Sequence, residues 1–173
     1  VILPIIAPEC RWILMSNEGA QLLADMRPDR FTWFCNVDPR QGTYNSKSDL
    51  DFIIRQYKEM GAKGLGELTT PLDADDPMMD NLFGACEREQ LPVLIHIAPQ
   101  HGNAYGIVDE PGLPRIERML KKHPDMKMIG HSQAFWCEIG KYPLEMRNAY
   151  PKGKIVKEGR LPQLLRECPN LYC

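Results

Sequence analysis

Short apolar runs alternate along this chain with longer amphipathic segments. The short runs are rich in β-branched and aromatic residues, which is typical of buried strands, whereas the longer segments repeat apolar residues at helical spacing. The pattern therefore predicts a series of strands connected mostly by helices. The predicted strands are 1–6, 31–37, 63–68, 92–97, 126–130 and 170–173, and the predicted helices are 17–26, 48–60, 76–90, 112–122 and 160–167.

Alternating strands and helices require parallel pairing with right-handed crossovers. Two architectures satisfy this requirement, a (β/α)8 barrel and an open doubly wound sheet. The sequence contains no G-x-G-x-x-G motif after the first strand and no P-loop, which counts against nucleotide-binding forms of the open sheet. Polar residues at the ends of four strands favour the barrel, because barrel enzymes build their sites there. These residues are Asn36, Glu67, His96 and His131.

We therefore predict an α/β fold, an incomplete (β/α)8 TIM barrel with about six strand–helix units in a single partial domain spanning 1–173. The chain opens on a strand-like run at Val1 and stops at Cys173 inside another one. A natural domain rarely begins and ends in mid-strand, because the cut edges leave backbone groups unpaired. We expect the chain to be an internal fragment of a longer protein.

Composition and charge narrow the class of partner. The chain is 43% hydrophobic and 25% charged with a formal net charge of -2, which is ordinary for a globular protein. It has no basic stripe and no apolar run long enough for a bilayer, so we expect neither nucleic acid nor a membrane as partner. Six cysteines without a C-x-x-C pair indicate reduced thiols in a cytoplasmic protein. A small-molecule substrate is expected, and a homo-oligomer is compatible with this composition.

His96 and His131 are the most informative residues, because each ends a strand-like run and one strand–helix repeat separates them. A parallel sheet would bring both to its carboxyl edge, where such folds bind ligands. Imidazole is a common metal ligand and also the side chain that titrates nearest neutral pH. The pair predicts a site that either binds a metal or performs acid–base chemistry.

Four other residues are candidates for substrate binding. Glu67 could contact a metal or the substrate, or could pair with a cationic group in the barrel mouth. Asn36 could orient a substrate or simply cap a turn. Gln133 and Trp136 follow His131 directly and could line a pocket, although a core position suits the tryptophan equally well.

Several motifs occur in an order that resembles the amidohydrolase-related family. This family comprises metal-dependent TIM-barrel hydrolases and decarboxylases related to aminocarboxymuconate semialdehyde decarboxylase, and the resemblance covers nearly the whole chain. By resemblance, His96 matches a metal ligand on the fifth strand, and His131 matches a sixth-strand histidine that binds metal or acts beside it. The motifs are Pro28-Asp-Arg-Phe31, Asn36-Val-Asp-Pro39, the run 49–67, Pro92-Val-Leu-Ile-His96 and Ile129-Gly-His131.

The resemblance implies a divalent metal ion, taken as Zn²⁺, held by His96, with His131 as the catalytic residue. The family's first-strand H-x-H and eighth-strand Asp are absent, and this alignment puts them before Val1 and after Cys173. The expected activity is hydrolysis of a carbonyl-type bond or a related non-oxidative decarboxylation. Two alternatives remain open: a metal-free isomerase or aldolase that uses the histidines as acid–base groups, and a non-catalytic or degenerate homologue.

Overall fold

The computed structural model is a mixed α/β structure with a parallel sheet, and it describes residues 1–9, 14–102 and 105–173. Within these ranges it has five strands and six α-helices. The strands are β1 (Leu65–Leu68), β2 (Val93–Ala98), β3 (Ile107–Val108), β4 (Met128–His131) and β5 (Leu171–Tyr172). The helices are α1 (Asn17–Asp25), α2 (Leu50–Glu59), α3 (Pro77–Arg88), α4 (Pro114–Lys122), α5 (Gln133–Cys137) and α6 (Leu161–Glu167), with a 3-10 helix at Leu144–Asn148.

The sheet runs β1-β2-β4-β5, and every neighbouring pair is parallel. Leu65 lies opposite Val93, and Met128 lies opposite Leu171. These four strands confirm the last four strands predicted from the apolar runs. The short strand β3 also pairs in parallel with the end of β2, and no apolar run predicted it, because two residues are too few to form a pattern.

The first two predicted strands, 1–6 and 31–37, are not regular strands in the structure. They form single parallel bridges instead, between Ile2 and Trp33 and between Cys35 and Leu65. Pro4 interrupts the first segment, because proline has no backbone N–H to donate to a ladder. These bridges nevertheless extend the sheet on the side of β1 away from β2: the second segment lies next to β1, and the first segment lies next to the second.

Side-chain caps fix the starts of three helices close to their predicted positions. The side chains of Ser16, Asp49 and Asp76 accept hydrogen bonds from backbone N–H groups in the first turns of α1, α2 and α3. The helix α5 was not predicted, because at five residues it is too short for helical periodicity to register. It starts directly after β4, and the 3-10 helix that packs on it lies in a segment for which no helix or strand was predicted.

The buried face of α1 differs from the one that its apolar residues suggest. Ala20 and Ala24 are buried, whereas Leu22 and Met26 are 66% and 69% exposed. The small side chains face the core because α1 lies close to the chain that precedes β1: Asn17 exchanges hydrogen bonds with the backbone of Asn36. A close approach of this kind favours alanine over leucine at the contact.

A charged cluster far from the sheet's carboxyl edge links α3 to the end of α4. The buried ring of His123 lies between two carboxylates, with Nε2 2.9 Å from Asp80 Oδ1 and Nδ1 3.0 Å from Glu87 Oε2. Lys122 donates to the other oxygen of Asp80 at 2.8 Å. Burial alone would raise the pKa of Asp80, but the hydrogen bonds from Lys122 and His123 outweigh it and hold the pKa below its usual value.

We expect the Asp80→Asn variant to lose about 1 kcal/mol of stability at pH 7, since a partly exposed ion pair between a carboxylate and a cationic side chain contributes on that order. A lowered folded-state pKa stabilises the protein above the unfolded value of about 3.9, and this contribution is lost as the pH falls through the folded value. Urea unfolding at pH 7 and near pH 3 should therefore show a smaller difference from wild type at the lower pH. Asp125→Asn, at a carboxylate outside the described ion pairs, is the control, and an equal difference at both pH values would contradict the prediction.

No helix in the described part of the chain combines the length and the apolar character needed to cross a bilayer. The described cysteines are free thiols: Cys35, Cys86, Cys137 and Cys168 are buried and Cys173 is exposed. Cys10, the remaining cysteine, lies outside the described residues.

Candidate metal centre

Three side chains converge at the carboxyl edge of the sheet. His96, two residues before the end of β2, and His131, at the end of β4, lie directly opposite each other in the ladder. Their rings pack edge to face with centroids 5.0 Å apart. Glu67 on β1 reaches both of them, with Oε1 2.7 Å from Nδ1 of His96 and 2.6 Å from Nε2 of His131. The spacing of one strand–helix unit thus brings the two histidines together as the sequence predicts.

The two contacts to Glu67 differ in geometry. Nδ1 of His96 forms a hydrogen bond with Oε1. Nε2 of His131 is buried and close to the same oxygen, but it lacks the angle of a hydrogen bond and has no hydrogen-bond partner among the described residues. A buried polar atom without a hydrogen bond is costly, so its position calls for another ligand. Two imidazole nitrogens and a carboxylate oxygen around a common point are the arrangement found around a metal ion.

A tyrosine that the sequence did not single out completes the surroundings of Glu67. The hydroxyl of Tyr105 donates to Oε2 of Glu67 at 2.8 Å, and its ring packs edge to face on His96 with centroids 4.4 Å apart. Burial alone would raise the pKa of Glu67, but the contacts with His131, His96 and Tyr105 outweigh it and hold the pKa well below its usual range. Glu67 is therefore an anion despite being only 8% exposed. The sequence gives no signal for this tyrosine, because it lies between predicted elements, where no periodicity indicates which way a side chain points.

Two glycines explain how Glu67 reaches this position. A Cβ at Gly66 would lie 2.5 Å from the carbonyl oxygen of Leu94, and the residue has a φ of +139°, which side chains rarely allow. A Cβ at Gly64 would lie 2.6 Å from the ring of Phe34. Glycine at both positions lets β1 pack tightly against its neighbours, as the glycine-rich sequence before Glu67 predicts.

A buried serine ties the ends of β2 and β4 together. Oγ of Ser132 accepts a hydrogen bond from the backbone N–H of Ile97 at 3.0 Å and donates to its carbonyl at 2.9 Å. Ile97 and Ser132 directly follow His96 and His131, so these two hydrogen bonds fix the spacing of the histidines. Ser132 has a φ of 96°, and no sequence signal distinguished it from an ordinary N-cap of α5.

A cavity of about 360 Å³ opens beside this cluster. Of the residues predicted to bind metal or substrate, His96 and Gln133 line it. Glu67 and His131 are not among its lining residues, but Glu67 contacts both His96 and Tyr105, which are. Among the described residues, the cavity is lined by His96, Ile97, Pro99, Tyr105, Gln133, Arg147 and Asn148.

Asn36 and Trp136 lie elsewhere. The amide group of Asn36 donates to the carbonyl oxygens of Pro4 and Glu67 at 2.9 and 2.6 Å, so it holds the backbone of the site glutamate. Trp136 lines a separate aromatic cavity of about 340 Å³ together with Tyr142 and Tyr150. The substrate contacts predicted for these two residues stay predictions, and the geometry gives Asn36 a positioning role.

The donor set fits a divalent metal ion. One ligand atom from each of Glu67, His96 and His131 lies within 4.8 Å of the others. Catalytic zinc sites commonly use three protein ligands, and two histidines with one glutamate are a known set. Nε2 of His131, which lies 2.6 Å from Oε1 of Glu67 but makes no hydrogen bond among the described residues, supports the same conclusion. Nothing in the cluster selects zinc over other divalent ions.

Comparison with protein-family models, curated proteins and solved structures gives no match to this chain. The argument for function therefore depends on the geometry of the cluster and its cavity.

Proposed function

We propose that this protein is a metal-dependent enzyme that hydrolyses a carbonyl-type bond of a small molecule, or a related non-oxidative decarboxylase of the amidohydrolase type. The observation that carries the proposal is the convergence of two imidazole nitrogens on one carboxylate oxygen, at 2.7 and 2.6 Å. This cluster adjoins a cavity of about 360 Å³, near the lower end of the sizes typical of small-molecule sites.

The strand order supports a partial (β/α)8 barrel as the scaffold. The segments containing Ile2 and Trp33, then β1, β2, β4 and β5, follow one another in chain order, and each pairs in parallel with the next. A doubly wound sheet reverses its strand order at the point where it binds ligands. The described strands have no such reversal, and the candidate site lies at their carboxyl ends, as in barrel enzymes.

Within the proposal, Glu67, His96 and His131 bind the metal, which adds Glu67 and His131 to His96, the ligand expected from the sequence. When bound, a divalent metal polarises carbonyl or carboxyl groups and acidifies water near neutral pH. Tyr105 donates to Oε2 of Glu67, so the metal would take Oε1, the oxygen that both histidine nitrogens approach. Gln133, on the cavity wall, provides an amide that can orient the substrate.

A metal-free enzyme is the second candidate, because the close contact between Glu67 and His131 also resembles an acid–base pair. Zinc titration of the metal-stripped protein, followed by calorimetry, distinguishes the two. The proposal expects one equivalent of zinc to bind and hydrolysis of simple aryl esters or lactones to depend on it. Failure of zinc, manganese and cobalt to bind would refute the metal-dependent function and favour the acid–base alternative.

We also propose a cytoplasmic enzyme with a small-molecule substrate. The free, mostly buried thiols among the described cysteines support a reducing compartment, where disulfides are rare.

A further inference from the structure

One wall of the cavity carries hydrogen-bond donors that the proposed metal centre does not use. Gln133 on α5 and Arg147 and Asn148 on the 3-10 helix line it, together with His96 and Tyr105 of the metal centre. The 3-10 helix packs against α5, so these three polar side chains come from one substructure. The cavity therefore joins the metal centre to a wall of amide and guanidinium groups.

Arg147 is the unusual member of this wall, because it is a guanidinium only 4% exposed. Nη1 donates to Oε1 of Glu138 at 2.9 Å, and Nη2 donates to the carbonyl oxygen of Asp109 at 2.9 Å. Nε is buried and has no hydrogen-bond partner among the described residues. An arginine is seldom buried with a donor left over, because the unmade hydrogen bond costs free energy.

The pairing with Glu138 does not use all the hydrogen-bond donors of Arg147. A guanidinium presents more N–H groups than these contacts use, and it can face two acidic groups at once. The same chain contains an example in Arg40, which binds the carboxylates of both Asp38 and Glu9. Arg147 has the first of two such partners and lines a cavity that could admit the second.

We propose that Arg147, assisted by Gln133 and Asn148, binds a carboxylate of the substrate that is distinct from the group reacting at the metal centre. This inference rests on the proposed function and specifies its substrate class: a small acid with a carboxylate remote from the reacting carbonyl or carboxyl group. The cavity of about 360 Å³ limits it to a compact molecule. Arg147 discriminates against neutral analogues, since they would leave its buried Nε without a hydrogen bond.

The test compares two acids of equal chain length, glutarate and pentanoate, which differ only in the second carboxylate. Calorimetry on the zinc-loaded protein should give at least 10-fold tighter binding of glutarate. Arg147→Gln should reduce this preference to less than about 2-fold while zinc binding stays near wild type. Arg147 lines this cavity and also a neighbouring one of about 370 Å³, whereas Arg160 lines only the neighbouring one. Arg160→Gln is therefore the matched control and should keep the preference.

Arg147→Gln leaves Glu138 without its partner and could unfold the protein, so the double variant Arg147→Gln/Glu138→Gln provides a neutral pair in the same place. A purely structural arginine would affect thermal unfolding without affecting the ratio of the two affinities. An unchanged ratio in a folded variant, or no preference in the wild type even at millimolar acid, overturns the inference.

The same titration without metal separates this inference from the proposed function. If zinc does not bind but glutarate binds in an Arg147-dependent manner, the carboxylate site stands and the metal-dependent function fails. If zinc binds normally and the wild type does not distinguish the acids, the metal centre stands and the carboxylate site is wrong.

Discussion

Replacing His96 with alanine should remove the metal and the turnover together. The imidazole lies at the junction of the cluster, since it contacts Glu67, packs against both Tyr105 and His131, and lines the cavity. Losing a ligand costs more than losing an outer partner, which typically lowers metal affinity by about 10–100-fold. We expect zinc affinity to fall by at least about 100-fold in calorimetric titration.

His101→Ala is the matched control, because this histidine is 64% exposed and pairs with Asp73 away from the cluster. It should bind zinc as the wild type does. Thermal unfolding of the His96→Ala variant checks that the sheet remains folded. If that variant keeps both metal and turnover, β2 is not the ligand-bearing strand, and the metal-free alternative replaces the hydrolase.

The sequence predicted the convergence of Glu67, His96 and His131 because it depends on features that are regular. Parallel strands separated by helices end at the same edge, and each of these residues lies within two residues of the end of its strand. The order of the strands fixes which residues are neighbours, and His96 and His131 are register partners. Periodicity and topology together therefore locate the cluster without any knowledge of side-chain packing.

The contacts that complete the site could not be predicted in this way. Tyr105 reaches the cavity from a loop and Arg147 from a five-residue 3-10 helix, both too short or irregular for a sequence period to indicate where a side chain points. Ser132 acts through hydrogen bonds from its side chain to the backbone of Ile97, and these form only when β2 and β4 pair. The roles of Asn36 and Trp136 likewise depend on which residues pack against them, and this is decided by tertiary structure.

The exposed leucine face of α1 illustrates the same limit. Amphipathicity indicates which residues are apolar, but the identity of the buried face depends on how closely the neighbouring chain approaches. Here Asn17 binds the backbone of Asn36, and the resulting close approach buries Ala20 and Ala24 instead of Leu22. A tertiary contact between residues 19 positions apart therefore decides which face of α1 is buried, against the hydrophobic pattern of the helix.

The role of His131 gives the second large effect. The sequence predicts it as the catalytic residue, whereas the buried Nε2, 2.6 Å from Glu67 without hydrogen-bond geometry, favours a third metal ligand. As a ligand, His131 should be needed for binding: His131→Ala should lower zinc affinity by at least about 100-fold and abolish turnover in parallel. Saturating the variant with zinc should then restore part of the activity.

An acid–base residue would behave differently. His131→Ala would then keep zinc near the wild-type level and lose turnover by about 10²–10⁴-fold, and added zinc would restore nothing. Metal content and turnover measured on the same preparation separate these outcomes. His123→Ala is the control for histidine removal as such, because that ring lies between α3 and α4 and makes its ion pairs away from the cluster. Metal retention with lost turnover would contradict the ligand role and return His131 to the catalytic function that its position in the sequence predicts.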